Sequence, residues 1–176
     1  MKYEKEYING EKKGKLIEYH NNGKLKFEGL YSNEKKNGKG KEYYFNGILR
    51  YEGEYFEGKK DGFGKEYYLD GKVKFEGEYF KGKRWDGKLK EYYDNGNLSL
   101  ESEIIYGKKL RGETKEYYEN GKLKFDGEYL NEKRNGKGKE YYENGKLKFE
   151  GEYFKGERRK GKEYDESGNI ILNDKI

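Results

Sequence analysis

Glutamates recur at equivalent positions of a repeated segment, and they are the first candidates for catalytic or binding residues. Six of them follow similar segments at intervals of 24 or 25 residues: Glu18, Glu42, Glu66, Glu91, Glu116 and Glu140. Enzymes that use a pair of carboxylates need the two groups in unlike environments within one site. A periodic pattern places every glutamate in the same environment, so these residues predict no catalytic pair.

Nucleophiles and metal ligands give no stronger signal. His20 is the one histidine, and it occupies a position that carries Tyr in the other repeats. One such residue cannot build a Ser-His-Asp arrangement or a histidine-based metal site, and the chain contains no cysteine for a thiolate site. We therefore predict that the protein is not an enzyme and holds no metal and no cofactor.

The charge pattern argues against nucleic acid as a partner. The chain carries 40 Lys and Arg residues and 35 Asp and Glu residues, and the two signs alternate closely. Nucleic-acid-binding proteins usually gather their positive charge into a patch or stripe. No such block is present in the sequence, so the net charge of +5 does not predict nucleic-acid binding.

The elements that position these residues are β-hairpins. Glycine-containing turns recur about every 24 residues at Asn22-Gly23, Asn46-Gly47, Asp70-Gly71, Asn95-Gly96, Asn120-Gly121, Asn144-Gly145 and Ser167-Gly168. The chain has 21 Tyr and 9 Phe residues and no Pro, a composition that favours strands. The sequence predicts an all-β fold, an elongated single-layer twisted antiparallel sheet of stacked hairpins. We expect about 14 strands in one repeat array over residues 1–176.

The turns also predict which residues face one another. A type I′ turn at Asn144-Gly145 pairs Tyr142 with Leu147, and further along the strands Glu140 with Phe149 and Gly138 with Gly151. The opposite face then carries cross-strand pairs of opposite charge, such as Lys139 with Glu150. Facing glycines leave bare backbone on the apolar face, which aromatic rings can cover.

This register places the six glutamates in a column on the aromatic face. One interpretation is structural, with each carboxylate accepting hydrogen bonds from neighbouring Tyr hydroxyls or Lys ammonium groups. The other is functional, an acidic and aromatic-lined surface for a cationic peptide or amine, since ring faces and carboxylates both attract positive charge. The sequence favours the structural interpretation.

Gly-x-Gly strands, turns that end in Gly, and strands such as Phe149-Glu150-Gly151-Glu152-Tyr153 resemble the MORN repeat in its diverged bacterial form. The resemblance covers the chain from Met1 to about Leu172. It implies a scaffold that binds proteins or lipids or assembles with itself, and similar bacterial proteins are grouped with antitoxin components. Some kinases carry these repeats beside a catalytic domain, but this sequence contains no such domain, so a kinase label would not apply.

Two longer units in the middle break the pattern, around Trp85-Asp86-Gly87 and Leu110-Arg111-Gly112. Extra residues in paired strands imply a bulge or an altered loop. The break is either drift in a tolerant array or a partner surface. In the second case the candidate apolar residues are Trp85, Leu98, Leu100, Ile104, Ile105, Tyr106 and Leu110.

The leading prediction is a non-catalytic repeat scaffold that binds another protein of unknown identity through the aromatic face or this central patch. The alternatives are a module that binds a membrane surface or anionic lipid, and an antitoxin-like partner of a toxin protein. Unpaired edge strands also invite self-association. No apolar leader follows Met1, so the cytoplasm is the default location. Export applies instead if a leader preceding Met1 has been removed.

Overall fold

The structure, a computed structural model, describes residues 2–8 and 11–173. Every regular element among these residues is a β-strand, and the fifteen strands are numbered β1 to β15 in chain order. They are Lys2–Ile8, Glu11–Tyr19, Leu25–Ser32, Lys35–Tyr43, Leu49–Phe56, Lys59–Tyr67, Val73–Phe80, Lys83–Tyr92, Leu98–Ile105, Lys108–Tyr117, Leu123–Leu130, Lys133–Tyr141, Leu147–Phe154, Glu157–Tyr164 and Ile170–Asn173.

The chain divides into two compact units after Gly87, within β8. In the first unit β1 to β7 pair with their neighbours in chain order, and every pair is antiparallel. In the second unit β9 to β15 do the same. The predicted all-β class and antiparallel hairpin arrangement are confirmed. The single array over residues 1–176 stays a prediction.

The hairpins alternate between two kinds of turn, and the prediction of type I′ geometry at Asn144-Gly145 is wrong. There the Tyr142 N–H donates to the Lys146 carbonyl and the Gly145 N–H donates to the Tyr142 carbonyl, both at 2.8 Å. Of the turn's residues only Gly145 has positive φ, at 92°. This is a three-residue loop with a glycine bulge, in which one strand gains a residue.

The type I′ turns lie at the opposite ends of the strands. Asn131 and Glu132, for example, have φ of 51° and 64° between β11 and β12. Lys155 and Gly156 show the same geometry between β13 and β14, with φ of 52° and 94°. Positive φ at both central residues is the geometry that matches strand twist in a two-residue hairpin.

The register away from the turns is the one predicted. Glu140 faces Phe149, Gly138 faces Gly151 and Lys139 faces Glu150. Next to the loop the pairing shifts by one residue, so that Leu147 faces Tyr141 and not Tyr142. The three-residue loop sets this pairing next to the turn. Lys148, an extra residue between Leu147 and Phe149, then restores the predicted register at Glu140.

Aromatic rings on one face of the strands form the core of each unit. Phe27, Tyr51, Phe75 and Phe125 are fully buried. Tyrosines on the same face, such as Tyr55 and Tyr153, meet these rings edge-to-face; the Phe125 and Tyr153 centroids are 5.4 Å apart. Edge-to-face pairs stabilise a fold beyond the area that they bury.

Facing glycines lie under these rings because no other residue fits. A Cβ on Gly138 would lie 2.7 Å from Phe125 Cζ, and a Cβ on Gly127 would lie 2.5 Å from the Gly138 Cα. Non-bonded carbon atoms do not approach one another this closely, so the ring requires the glycine pair. The predicted covering of bare backbone by aromatic rings is therefore confirmed.

The hairpin of β9 and β10 solves the same packing problem with smaller side chains. Leu100 occupies the position of the aromatic ring and faces Glu116. Ser102 and Thr114 occupy the positions of the glycine pair and face each other. Their hydroxyls are 2.8 Å apart and both residues are buried. Leu100 leaves room for the two extra side chains, so the departures from the repeat here compensate one another.

The predicted bulge at Leu110-Arg111-Gly112 is confirmed by the pairing. In a regular hairpin Gly138 faces Gly127 and Arg134 faces Tyr129, so three residues of one strand lie opposite a single residue of the other. In β10 four residues lie between Lys109 and Thr114. The additional residue of the longer unit is thus absorbed by a bulge that the repeat already has.

Candidate functional site

Basic side chains cover the buried rings on the aromatic face. In the first unit Lys36 Nζ lies 3.8 Å from the centroid of Phe27, and Lys60 Nζ lies 3.9 Å from that of Tyr51. In the second unit Arg134 Cζ is 4.1 Å from the centroid of Phe125. Cations at this distance over a ring face are attracted by the ring quadrupole. The rings are therefore enclosed and cannot contact a partner directly.

Each of these cations lies between two glutamates from successive hairpins. Lys60 Nζ is 3.5 Å from Glu42 and 3.4 Å from Glu66. Lys36 Nζ is 3.7 Å from both Glu18 and Glu42. The first unit therefore has an alternating row of carboxylates and ammonium groups along its aromatic face, joined at one end by an ion pair between Arg84 and Glu66.

Arginines make the corresponding row in the second unit. Arg134 lies 3.0 Å from Glu116 and 2.8 Å from Glu140. Arg158 pairs with Glu140 and, at 2.6 Å, with Glu163. Tyr153 donates its hydroxyl to Glu140 at 2.8 Å, and Tyr129 donates to Glu116. A guanidinium can bond two carboxylates at once, which gives this row a fixed geometry.

These contacts keep the carboxylates ionised. Burial alone would raise the pKa of Glu140, but hydrogen bonds from Arg158 and Tyr153 and the charges of Arg158 and Arg134 outweigh burial and lower it. Arg84 and Lys60 lower the pKa of Glu66 in the same way. A carboxylate that is ionised and fully bonded suits a structural role and is poorly suited to proton transfer.

The structure places Glu18, Glu42 and Glu66 in the first unit and Glu116 and Glu140 in the second at the predicted positions on the aromatic face. Glu91 is half-buried in β8. A binding role for this column stays a prediction.

Sequence reasoning predicted Tyr hydroxyls or Lys ammonium groups as partners of the glutamates, but it did not identify which residues they are or that arginines serve in the second unit. A signal was present. Lys36, Lys60 and Arg84 are spaced 24 residues apart, and so are Arg134 and Arg158. Each follows a tight turn by two or three residues.

The predicted central patch is distributed over both units. In the first unit Trp85 is 37% exposed and packs against Phe80, with ring centroids 5.5 Å apart. In the second unit Ile104 is buried and belongs to the core, whereas Tyr106 is exposed in a tight turn. Three further members are half-buried: Leu98, Leu100 and Ile105. The side chain of Leu110 lies outside the described part of the chain.

His20 takes over a contact that tyrosine makes in other hairpins. Tyr118 and Tyr142 donate their hydroxyls to main-chain carbonyls of the next three-residue-loop hairpin, at 2.7 and 2.8 Å. His20 Nε2 lies 3.0 Å from the Tyr43 carbonyl in the equivalent place. This geometry agrees with a packed substitute for tyrosine.

The opposite face carries charge pairs across the strands and is called the charged face below. Lys65 and Glu76 in the first unit are 2.9 Å apart, and so are Lys139 and Glu150 in the second. The predicted alternation of opposite charges is confirmed for these pairs. Each lysine and glutamate is substantially exposed, so each pair contributes little to stability.

A protein built of successive antiparallel hairpins with a repeated ring, glycine pair and ion-paired glutamate is a repeat protein. The MORN repeat variant matches residues 12–33, 36–57, 60–81, 85–105, 110–131 and 134–155. The chain therefore belongs to the MORN repeat family, which confirms the resemblance. A search of curated proteins finds no match to the chain.

MORN repeats commonly serve as modules that bind proteins or membranes, and the family is generally non-catalytic. Among the described residues no cluster of histidines and carboxylates is arranged to hold a metal ion. The described residues also form no helix of the length and hydropathy that a membrane span requires.

Raising the pH above about 10 is expected to unfold the protein. Burial, with hydrogen bonds to glutamates, raises the pKa of Tyr43, Tyr67 and Tyr129 to about 12. Because the folded chain disfavours tyrosinate, the stability from these groups is complete below the unfolded pKa of about 10 and is lost as pH rises through 12. Tyrosinate absorbance and far-ultraviolet circular dichroism should change together. Titration near pH 10 with unchanged dichroism would contradict this.

Proposed function

We propose that this protein is a non-catalytic scaffold that binds another protein. The observation that carries the proposal is a set of exposed apolar side chains that folding does not require. They recur as the last residue of a strand before a tight turn and point to the charged face: Phe56 and Phe80 in the first unit, Leu130 and Phe154 in the second. We call Phe56, Phe80 and Trp85 of the first unit the turn-end surface, and Leu130 and Phe154 hold the equivalent positions in the second unit.

The repeat itself shows that the position needs no apolar residue. Ser32 ends β3 at the same place, facing Lys35 as Phe56 faces Lys59. Phe56 is 60% exposed, so an exposed phenylalanine stands where a small polar residue suffices. Exposed aromatic side chains at repeated positions are typical of protein-binding surfaces. Trp85, a member of the predicted central patch, enlarges this surface next to Phe80.

The test is affinity capture from a lysate of the source organism with wild type and the double variant Phe56→Ser, Phe80→Ser. We expect the double variant to lose the proteins that wild type recovers, while its urea unfolding midpoint stays unchanged. Leu69→Ser is the matched control, because Leu69 is equally exposed but lies in a three-residue loop at the other end of the strands. Equal recovery by all three proteins would contradict the proposal.

Membrane binding is the second candidate, favoured by one observation in the second unit. Lys155 Nζ and Arg159 Cζ lie 5.1 and 5.6 Å from the ring of the exposed Phe154. An aromatic ring with basic neighbours suits an anionic membrane surface. The paired charges of the strands count against it. Co-sedimentation with phosphatidylserine vesicles that Phe154→Ser abolishes would support this candidate, and no co-sedimentation at low salt would remove it.

A further inference from the structure

A groove crosses the charged face of the first unit. Its volume is about 560 Å³, and the backbone of Gly29, Gly40, Gly53 and Gly64 contributes to its lining. These glycines are required by the rings on the aromatic face, and on the charged face they leave the main chain bare. Bare strand backbone permits close approach by another chain.

Two side chains in this groove depart from the repeat. Leu30 stands where the other hairpins carry glutamate, at Glu54, Glu78, Glu103, Glu128 and Glu152. Phe63 stands where several hairpins carry lysine, at Lys39, Lys137 and Lys160. Leu30 is 52% and Phe63 is 48% exposed, and both line the groove. The fold therefore tolerates charged residues at both positions, and the two apolar side chains serve no core.

The charges around the groove leave a positive surplus. Glu28 accepts a hydrogen bond from the Tyr43 hydroxyl at 2.7 Å. Glu52 accepts one from the Tyr67 hydroxyl at the same distance and also lies 3.8 Å from Lys41. Lys39, also in the groove lining, makes no ion pair within the described residues and is exposed. The groove lining has four lysines, Lys15, Lys39, Lys41 and Lys65, against three glutamates, Glu28, Glu52 and Glu54, which is an excess of one positive charge. Lys41 and Lys65 already pair with Glu52 and Glu76, so Lys39 is the basic group that a ligand can reach.

We propose that this groove binds an extended acidic peptide segment of a partner protein with one or two large apolar side chains. The apolar anchors would contact Leu30 and Phe63 on the open glycine backbone, and a carboxylate of the peptide would pair with Lys39. This complementarity selects acidic over basic segments. The inference deepens the proposed protein-binding function by giving a ligand class and a site distinct from Phe80 and Trp85.

The second unit provides the natural comparison. It has a groove of about 930 Å³ on its charged face, lined by residues that include Gly127, Gly138 and Gly151. Glu128 and Lys160 occupy the positions of Leu30 and Phe63 there. This groove has the same glycine floor without the two anchors, so we expect it to bind the same peptides far more weakly.

The experiment is selection of a phage-displayed random dodecapeptide library on the wild-type protein, followed by fluorescence anisotropy with synthetic copies of the enriched peptides. We expect enriched sequences to combine Asp or Glu with Leu, Phe or Trp. Leu30→Glu with Phe63→Lys should weaken their binding at least about tenfold, the effect of losing anchor side chains. These are residues that the repeat uses itself, so the urea midpoint should not change. Grafting the anchors by Glu128→Leu with Lys160→Phe should create binding in the second unit.

The outcomes separate this inference from the proposed function. The proposal that the groove binds acidic peptides would be overturned if the peptides bind the Leu30→Glu, Phe63→Lys variant with wild-type affinity, or if basic peptides are enriched. If such peptides instead lose binding to the Phe56→Ser, Phe80→Ser variant, their binding site is the turn-end surface and not the groove. Failure to enrich any peptide would overturn the groove alone, since the capture experiment tests the scaffold function independently. Binding of phosphatidylserine vesicles that the groove variant abolishes would also overturn it, in favour of lipid.

Discussion

Replacing Gly138 by Thr is expected to destabilise the second unit by about 3 kcal/mol or more, at the upper end of the overpacking range. A Cβ at this position would lie 2.7 Å from Phe125 Cζ and 3.2 Å from Tyr153 Cε2. Phe125 is fully buried and is covered by Arg134, so its ring cannot move away without breaking that cover. Urea unfolding followed by circular dichroism measures the loss.

The hairpin of β9 and β10 supplies the matched control for this prediction. It carries Leu100, Ser102 and Thr114 at the positions of Phe125, Gly127 and Gly138. The triple variant Phe125→Leu, Gly127→Ser, Gly138→Thr should therefore recover much of the stability that Gly138→Thr loses, although it lacks an aromatic ring. A single variant that unfolds at the wild-type urea concentration, or a triple variant less stable than the single one, would contradict the packing argument. Such coupling is expected only between residues in contact.

Strand positions could be predicted from the sequence because side chains alternate with a strict period of two. Glu140 opposite Phe149 follows from counting outward from the glycine turn, and only the pairs next to the loop, such as Tyr141 with Leu147, depart from that count. The turn type could not be predicted in this way. Asn-Gly favours type I′ in a two-residue loop but also fits the last two residues of a three-residue loop. The actual type I′ turns carry residues such as Glu132 and Lys155, which rarely adopt positive φ.

The ion-paired rows could not be predicted from pairwise register. Lys60 faces Tyr55 in the strand ladder, yet its ammonium group lies between Glu42 and Glu66. A long side chain reaches past its facing residue to neighbouring strands, so the contact is decided by rotamer and not by spacing. The central patch was predicted from apolar residue type and not from strand face. Ile104 and Ile105 are adjacent in sequence but point to opposite faces, and only Ile104 enters the core.

Replacing Glu140 by Leu is expected to cost about 3 kcal/mol or more, because it leaves partly buried cations without their partner. Glu140 accepts hydrogen bonds from Arg134, Arg158 and the Tyr153 hydroxyl, and its side chain is only 15% exposed. Leucine fills the space and removes every acceptor. The free energy of unfolding from urea titration at neutral pH measures the effect, and Glu140→Gln should lose less because it keeps one acceptor oxygen.

The same chain offers a control on the other face of the sheet, where Glu150→Leu removes the partner of Lys139. That pair is 2.9 Å apart, but both side chains are nearly half exposed, so the cost should stay below about 1 kcal/mol. Acid adds a second readout. Because the folded chain lowers the pKa of Glu140, its contribution is complete above the unfolded pKa of about 4.3 and is lost as pH falls below it. Acid should therefore destabilise wild type and Glu150→Leu more than Glu140→Leu. Equal losses for the two leucine variants at neutral pH would show that the rows of glutamates and cations do not hold the sheet together.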